Sequence, residues 1–246
     1  MLQADLNESI DHHLPFLKAF EKKATVANGR YPIVVPQPEQ ILFSKLKESL
    51  QIDRYRSGAA LYSSKLGEKV FSDQFSLYDV DWAPELGIAS AFDGEGVRRE
   101  NPRLPLIERR VFKNVISDLR NARKYGTAST GNGQRSFDSN SRLDFNAVLL
   151  GRGSRDYRAL MKEMGECIFI LMAMGGGFTD TGDFSTPVHL SFLVKGGEII
   201  GRLPPISVKS SLAEMFGDRL LAVSSDGLGA SAQNPCLFAE MEVINH

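Results

Sequence analysis

The stretch from His189 to Leu203, HLSFLVKGGEIIGRL, decides the fold class because it predicts a β-hairpin. Apolar side chains alternate with their neighbours along residues 189–195, which is the two-residue period of a strand. Gly196–Gly197 then supplies the two-residue link of a type I′ or II′ turn, and residues 198–203 form the second strand. A link this short joins antiparallel strands, so the sheet is expected to be mainly antiparallel.

Further short apolar runs surround the hairpin, and most are bounded by Gly, Pro, Asn or Asp. They predict strands at residues 31–35, 167–174 and 237–244, and strands or strand pairs at residues 70–71, 87–90, 106–117 and 145–150. Helical spacing and capping residues predict helices at residues 7–23, after Pro38 as far as Leu50, at 156–164 and at 211–216. The sum predicts an α+β fold, with a mainly antiparallel β-sheet and a few short helices. The Ser-, Gly- and Asn-rich residues 127–143 are expected to form a long loop, either functional or disordered.

The composition is that of an ordinary soluble globular protein. Of the 246 residues, 42% are hydrophobic and 24% charged, and the net charge of -1 gives no global reason to bind nucleic acid or an anionic membrane. The two cysteines, Cys167 and Cys236, lack the paired spacing of a disulfide framework or a metal motif. This cysteine usage fits a reducing, cytoplasmic compartment.

Few residues in the sequence point to catalysis. None of the four histidines is followed by a second ligand three or four positions further along the chain, and no serine lies in a G-x-S-x-G elbow. Asp93 and Glu95 share one face of an extended segment, and such a pair of carboxylates can perform acid–base chemistry. The flanking Gly94 and Gly96 favour instead a tight turn in which the carboxylates accept backbone hydrogen bonds.

Charge is distributed unevenly along the middle of the chain. Residues 72–97 hold six acids and no base, whereas residues 98–124 hold nine bases and three acids. A cluster of Lys and Arg can contact phosphates, so the basic segment could bind nucleic acid. Aromatic residues that could stack on bases are sparse there, which favours a basic hairpin that pairs with the acidic segment or is solvated.

Several separate motifs, collinear from about residue 31 to residue 244, resemble the TldD/PmbA family, also known as modulators of DNA gyrase. Each motif alone is weak, and the resemblance rests on their order and spacing. They are AFDGEGV at 91–97, PLIE at 105–108, VFK at 111–113, NARKYG at 121–126, STGNG at 129–133, TGDFS at 181–185, GEIIG at 197–201, and Cys236.

The resemblance implies a domain organisation and a lost metal site. Residues 1–30 would be a helix left from the linker to an absent N-terminal domain, and residues 31–246 would be the family's C-terminal domain. The catalytic members carry His-Glu-x-x-x-His where this chain has residues 43–48, FSKLKE. Phe43 and Ser44 cannot replace a zinc ligand and a general base, so neither a catalytic nor a metal site is expected. Glu48 and Cys236 would be vestigial.

This pattern resembles the non-catalytic TldE/PmbA type of the family. The resemblance implies a subunit of a cytoplasmic zinc metallopeptidase system for peptide degradation or maturation, with zinc only in the partner subunit. The expected partners are a catalytic TldD-type subunit or a second copy in a homodimer, together with peptide substrate, and neither membrane nor nucleic acid. Substrate would contact Asp93, Glu95, Thr130, Asn132, Gly176 and Asp183. The alternative is a nucleic-acid or gyrase-associated binding protein that uses residues 98–124.

Overall fold

The computed structural model describes residues 3–229 and 232–246 and divides the chain into two compact units. The first unit comprises Met1–Ser44 and Arg152–His246, and the second comprises Lys45–Gly151. Strands outnumber helices and nearly all strand pairs are antiparallel, which confirms the predicted α+β class. The predicted division at residue 30 is a statement about family domains and stays a prediction. None of the described helices is long and apolar enough to cross a bilayer.

The helices and strands are short, apart from one long helix and a few long strands. The helices are α1 (Gln3–Ala19), α2 (Pro38–Ile41), α3 (Ser44–Ser49), α4 (Ile52–Ser57), α5 (Leu119–Tyr125), α6 (Tyr157–Glu163) and α7 (Leu212–Phe216). The strands are β1 (Gly29–Val35), β2 (Leu77–Val80), β3 (Trp82–Ala83), β4 (Ile88–Ala89), β5 (Arg103–Glu108), β6 (Val111–Phe112), β7 (Gly133–Gln134), β8 (Arg142–Leu143), β9 (Ala147–Leu150), β10 (Glu166–Ala173), β11 (Gly177–Phe178), β12 (Asp183–Lys195), β13 (Glu198–Arg202), β14 (Ile206–Ser211), β15 (Leu220–Val223) and β16 (Leu237–Asn245).

Five strands of the first unit close into a ring. The pairings run β1-β10-β12-β14-β16, and β16 pairs again with β1 along the whole of that strand. Only the β1–β10 pair is parallel. The strands β11 and β13 are added to β12, and β15 is added to β16. Closure leaves few unpaired strand edges in this unit, and β11 carries one of them.

Both faces of this sheet are buried in places, because side chains of consecutive residues point to opposite sides. Val34 and Phe238, paired across β1 and β16, join a core cluster with Phe16 of α1 and Leu160 of α6. The alternate residues of β1 and β16 are also fully buried, and they are Ile33, Val35, Leu237, Ala239, Met241 and Val243. Two hydrophobic faces on the same strands explain the nearly continuous apolar runs in the sequence.

The predicted hairpin is present as β12 and β13. Gly196 and Gly197 have φ values of 57° and 87°, so both central residues of the turn are left-handed, as a type I′ turn requires. The strand β12 begins at Asp183, six residues earlier than predicted, and its first half pairs with β14. That half could not be predicted from the sequence, because its polar and apolar residues alternate less clearly than those of residues 189–195.

The second unit is built on the four-stranded antiparallel sheet β6-β5-β2-β9. Its core includes Phe75, Leu77, Leu106 and Phe112, each fully buried. The helix α5 begins where the Asp118 carboxylate accepts a hydrogen bond from the Asn121 N–H, and it ends at the left-handed Gly126.

Several predicted boundaries were wrong, for local reasons. Residues 70–71 form no strand, although Lys69 makes an isolated bridge to Val111. Residues 106–117, predicted as a strand or strand pair, form the β5–β6 pair across a turn at Arg109 and Arg110, both at positive φ, but β6 already ends at Phe112. The loop 127–143 contains the small β7–β8 hairpin. Residues 52–57, 77–80, 119–125, 206–211 and 220–223, for which no element was predicted, are α4, β2, α5, β14 and β15.

Candidate functional site

Residues 43–48, which the resemblance matches to the family's zinc motif, have packing and surface roles in the structure. Phe43 in the first unit is fully buried, and its ring centroid lies 6.0 Å from that of Phe216. Glu48 in the second unit is half exposed, and its carboxylate lies 3.0 Å from the Lys45 ammonium. Ser44 is exposed at the start of α3. These side chains therefore serve as a core aromatic, a surface ion pair and a helix start.

Cys236 is buried in the first unit and is unsuited to metal binding on its own. It has no exposed surface and belongs to the same core cluster as Val34 and Tyr157. Its backbone N–H donates to the Ser224 hydroxyl at 2.8 Å. Burial raises the pKa of the Cys236 thiol far above its usual value, and the nearby Asp226 carboxylate raises it further. A thiol in such surroundings stays protonated in the metal-free protein.

The potential metal ligands in the described residues do not form a zinc site. A protein zinc site needs three or four converging nitrogen, sulfur or carboxylate ligands. In residues 3–229 and 232–246, no three or more His, Cys, Asp or Glu side chains converge in such a way. The imidazoles have other roles: His12 meets the Tyr157 hydroxyl at 2.8 Å, and His246 meets the Ser207 hydroxyl at 2.8 Å.

Asp93 and Glu95 organise a turn in the second unit. One Asp93 carboxylate oxygen accepts hydrogen bonds from the Glu95 and Val97 N–H groups at 2.9 and 2.8 Å. The other accepts from the Gly133 N–H at 2.8 Å. The Glu95 carboxylate accepts from the Leu119 N–H at 2.8 Å, at the start of α5. Both carboxylates are thus committed to backbone donors, as the turn interpretation expects.

Thr130 and Asn132 lie beside this turn and are also engaged. The Thr130 hydroxyl accepts a hydrogen bond from the Ser117 N–H at 2.7 Å and lies 2.7 Å from the side-chain amide oxygen of Asn132. Asn132 is fully buried and donates to the Asp79 carboxylate at 2.7 Å and to the Asp144 carbonyl at 3.0 Å. Their hydrogen bonds hold together three segments that are distant in sequence.

A buried ion pair lies at the centre of these contacts. The Arg99 guanidinium donates to both the carboxylate and the backbone carbonyl of Asp79. It also donates to the side-chain amide oxygen of Asn132 at 2.6 Å. The Asp79 carboxylate also accepts from the Asn146 N–H at 2.8 Å. Asp79 has no exposed surface and the Arg99 side chain is only 6% exposed. The pair could not be predicted from the sequence, where its only signal is an acidic run followed by a basic run.

The acidic segment 72–97 pairs with the basic segment 98–124. Besides the Arg99–Asp79 pair, Arg99 lies 3.7 Å from Asp81, and Arg110 pairs with Asp73. Burial raises the pKa of the Asp81 carboxyl, an effect that the Arg99 charge opposes. Because Arg99 is buried, the basic segment is not one continuous surface. These contacts agree with the pairing interpretation and do not favour nucleic-acid binding.

Gly176 and Asp183 lie in the first unit, Gly176 directly before β11 and Asp183 at the start of β12. Gly176 has a φ of 66°, and a Cβ there would lie 2.1 Å from the Ser185 carbonyl oxygen. Glycine is therefore required for this close approach of two backbones. The exposed Asp183 carboxylate accepts from the Thr181 hydroxyl at 2.6 Å. The six predicted substrate residues thus form two groups, with Asp93, Glu95, Thr130 and Asn132 in the second unit and Gly176 and Asp183 in the first.

Residues 28–244 match the family model described as the PmbA/TldA metallopeptidase C-terminal domain. The chain belongs to the PmbA/TldD family. Metalloprotease PmbA of Escherichia coli O157:H7 is 30% identical over 176 residues, which are 70% of this chain and 35% of that protein. The Metalloprotease TldD homolog of Buchnera aphidicola (Acyrthosiphon pisum) is 26% identical over 220 residues, which are 84% of this chain and 45% of that protein.

Solved structures of the family share the fold. TldE from Thermococcus kodakarensis superposes with a TM-score of 0.85 at 21% identity, over 98% of this chain and 56% of that one. A Thermotoga maritima protein named as a candidate modulator of a DNA gyrase superposes with a TM-score of 0.75 at 22% identity, over 92% and 52%. The chain spans between about a third and a half of the length of the first curated relatives it matches.

Proposed function

We propose that this member of the PmbA/TldD family is a non-catalytic, TldE/PmbA-type subunit of a cytoplasmic zinc metallopeptidase system that degrades or matures peptides. The observation that carries the proposal is the role of residues 43–48. Phe43 is a buried core side chain, and Glu48 is a surface residue paired with Lys45. The phenylalanine side chain has no nitrogen, oxygen or sulfur atom with which to coordinate zinc, and a serine at position 44 cannot act as a carboxylate base. Zinc would then be supplied by a catalytic TldD-type partner.

The edge of β11 is the proposed place for peptide. This strand pairs with β12 on one side, and its other side faces no strand in the described part of the chain. Met172 and Met174 beside it are 47% and 65% exposed. An extended peptide added to such an edge would gain main-chain hydrogen bonds with little dependence on its sequence. Exposed methionines adapt to different side chains, which suits a varied substrate.

The peptide proposal is tested by fluorescence anisotropy with labelled, unfolded casein and the purified chain. Gly176→Ala should weaken binding about tenfold, because a Cβ would collide with the Ser185 carbonyl and displace the β11 edge. Gly58→Ala is the matched control, because Gly58 is also left-handed at a φ of 76° but has no atom within 4 Å of its Cβ position. Equal affinities for the two variants would contradict binding at this edge.

The absence of catalysis is tested separately, with the chain supplied with zinc and incubated with unfolded casein. The proposal expects no cleavage by the chain alone. Cleavage that disappears when a chelator is added would refute it. Addition of a TldD-type metallopeptidase should give a complex by light scattering, and without that partner we expect a homodimer.

A further inference from the structure

A cleft of about 470 Å³ opens on the first unit where α1 lies against α6 and the β12–β13 turn. It contains none of the residues predicted to contact peptide. Its volume is within the range of small-molecule sites. Its walls are formed by His12, Pro15, Phe16, Lys18, Ala19, Lys22, Tyr157, Arg158, Met161, Gly197, Glu198 and Ile199.

The floor of the cleft is apolar and rigid. Phe16, Ala19 and Met161 are buried members of the core cluster of this unit. The Phe16 ring centroid lies 4.7 Å from that of Phe169 and 5.3 Å from that of Phe192. Because these rings are packed on the sheet, the floor cannot collapse to fill the space above it. A ligand with an apolar body would therefore find a preformed surface.

A hydrogen-bonded chain of polar groups crosses one end of the cleft. The Arg158 Nε–H donates to the Tyr157 hydroxyl at 3.2 Å, and that hydroxyl lies 2.8 Å from His12 Nδ1. Arginine only donates, so the phenol oxygen accepts from Arg158, whereas the histidine tautomer sets the direction of the hydrogen bond between Tyr157 and His12. Arg158 also reaches the Asp11 carbonyl at 3.4 Å and so holds α1 in place. This end of the cleft has fixed geometry and is rich in donors.

The permanent charges around the rim are mostly positive. Lys18, Lys22 and Arg158 form no ion pair with any carboxylate in residues 3–229 and 232–246. Glu198 is the one carboxylate of the lining, which gives the three permanent cations and this acid a net charge of +2. In a chain with a net charge of -1, this is a local concentration of positive charge. Such a rim attracts an anionic group.

We propose that this cleft binds a small organic acid whose carboxylate is attached to an apolar body. The carboxylate would lie at the rim, where the lysine ammonium groups and the Arg158 guanidinium can donate charge-assisted hydrogen bonds. The apolar body would lie on Phe16 and Met161. The combination excludes an inorganic anion, which would leave the floor uncovered, and a hydrocarbon alone, which would leave the cations unpaired. Both a fatty acid and a peptide ending in an apolar residue present this chemistry.

Isothermal titration calorimetry of the full chain with decanoate tests the proposal. We expect saturable binding of one decanoate per chain. Decyltrimethylammonium, which has an apolar tail one carbon longer and the opposite charge, should bind at least about tenfold more weakly. Acetate, which lacks the tail, should bind at least about a hundredfold more weakly, because buried methylenes supply most of the affinity. Equal binding of decanoate and decyltrimethylammonium would overturn the proposal.

Two exposed lysines provide the test by mutation. The double variant Lys18→Gln/Lys22→Gln should weaken decanoate binding about tenfold, which is about 1.4 kcal/mol. Lys209→Gln, an exposed lysine of β14 outside the cleft, is the matched control and should bind as the unmodified chain does. Circular dichroism verifies that α1 is retained. Unchanged decanoate affinity in the folded double variant would refute the site.

A third arm separates the two sources of the ligand. The N-acetylated tripeptide Ala-Ala-Phe is titrated with a free carboxylate and again as its amide. Tighter binding of the free acid than of decanoate identifies the site as one for peptide C-termini, and weaker binding identifies it as one for fatty acids. Either result supports a carboxylate site. Equal binding of the acid and the amide contradicts it.

Discussion

Replacement of Arg99 by Met should destabilise the second unit severely. The guanidinium donates to the Asp79 carboxylate and carbonyl, to the Thr130 carbonyl and to the Asn132 side chain. Asp79 is fully buried, so loss of the arginine leaves an uncompensated charge inside the protein. Breaking a buried pair in this way costs about 3–5 kcal/mol. That loss is a large part of the about 5–15 kcal/mol that stabilises a typical domain.

The conservative variant Arg99→Lys should cost less, about 2 kcal/mol, because the charge is kept while most of the forked hydrogen bonds are lost. Urea unfolding followed by the fluorescence of Trp82 measures both variants. Trp82 is the single tryptophan and lies in the second unit, so its signal reports on that unit. Arg98→Met, an exposed neighbour, is the control. Free energies of unfolding that differ by less than about 0.5 kcal/mol between the Arg99→Met and Arg98→Met proteins would contradict the stabilising role of the buried pair.

Three further predictions concern other buried groups. Asp93→Ala should lower the free energy of unfolding by about 2–3 kcal/mol because three N–H groups lose their acceptor, whereas the exposed Asp138→Ala should change it by less than about 0.5 kcal/mol. Iodoacetamide at pH 8 should not modify either cysteine until urea is added, because burial raises the pKa of Cys167 to about 12 and that of Cys236 further. Mass spectrometry measures the alkylation. Rapid alkylation of the folded protein would contradict this prediction. Burial also raises the pKa of Glu39 in the folded state, so the free energy of unfolding should fall as the pH rises from the unfolded pKa through the folded one. Glu39→Gln should flatten that dependence in urea titrations at a series of pH values. Parallel pH curves for the variant and the unmodified chain would count against it.

Local signals in the sequence predict the hairpin but not the buried network. Alternation and a Gly-Gly link lie within residues 189–203, so β12 and β13 could be recognised without any distant contact. The partners of Asp79 lie 20 positions away at Arg99 and 67 positions away at Asn146. No local pattern reports such pairs. The same carboxylate interrupts the apolar run of β2, which is why that strand was missed.

Among the candidate substrate residues as well, some environments have a local signal in the sequence and others depend on distant segments. Gly94 and Gly96 beside Asp93 and Glu95 were a local signal for a turn, and the hydrogen bonds agree with it. The helix α5 also had usable signals, since Asp118 caps its start and Gly126 ends it. Asn132 gave no sign of its burial because the surrounding residues 127–143 are polar. Its environment is set by segments far away in the sequence.

Zinc content is the most direct test of the central claim, that this chain lacks a metallopeptidase centre of its own. The purified protein is dialysed against trace zinc and its metal is measured by elemental analysis. We expect less than about a tenth of an equivalent of zinc per chain, because a site requires three or four converging ligands. Zinc near one equivalent per chain would mean that Cys236, Glu48 and a histidine converge on a metal, and the claim would be wrong.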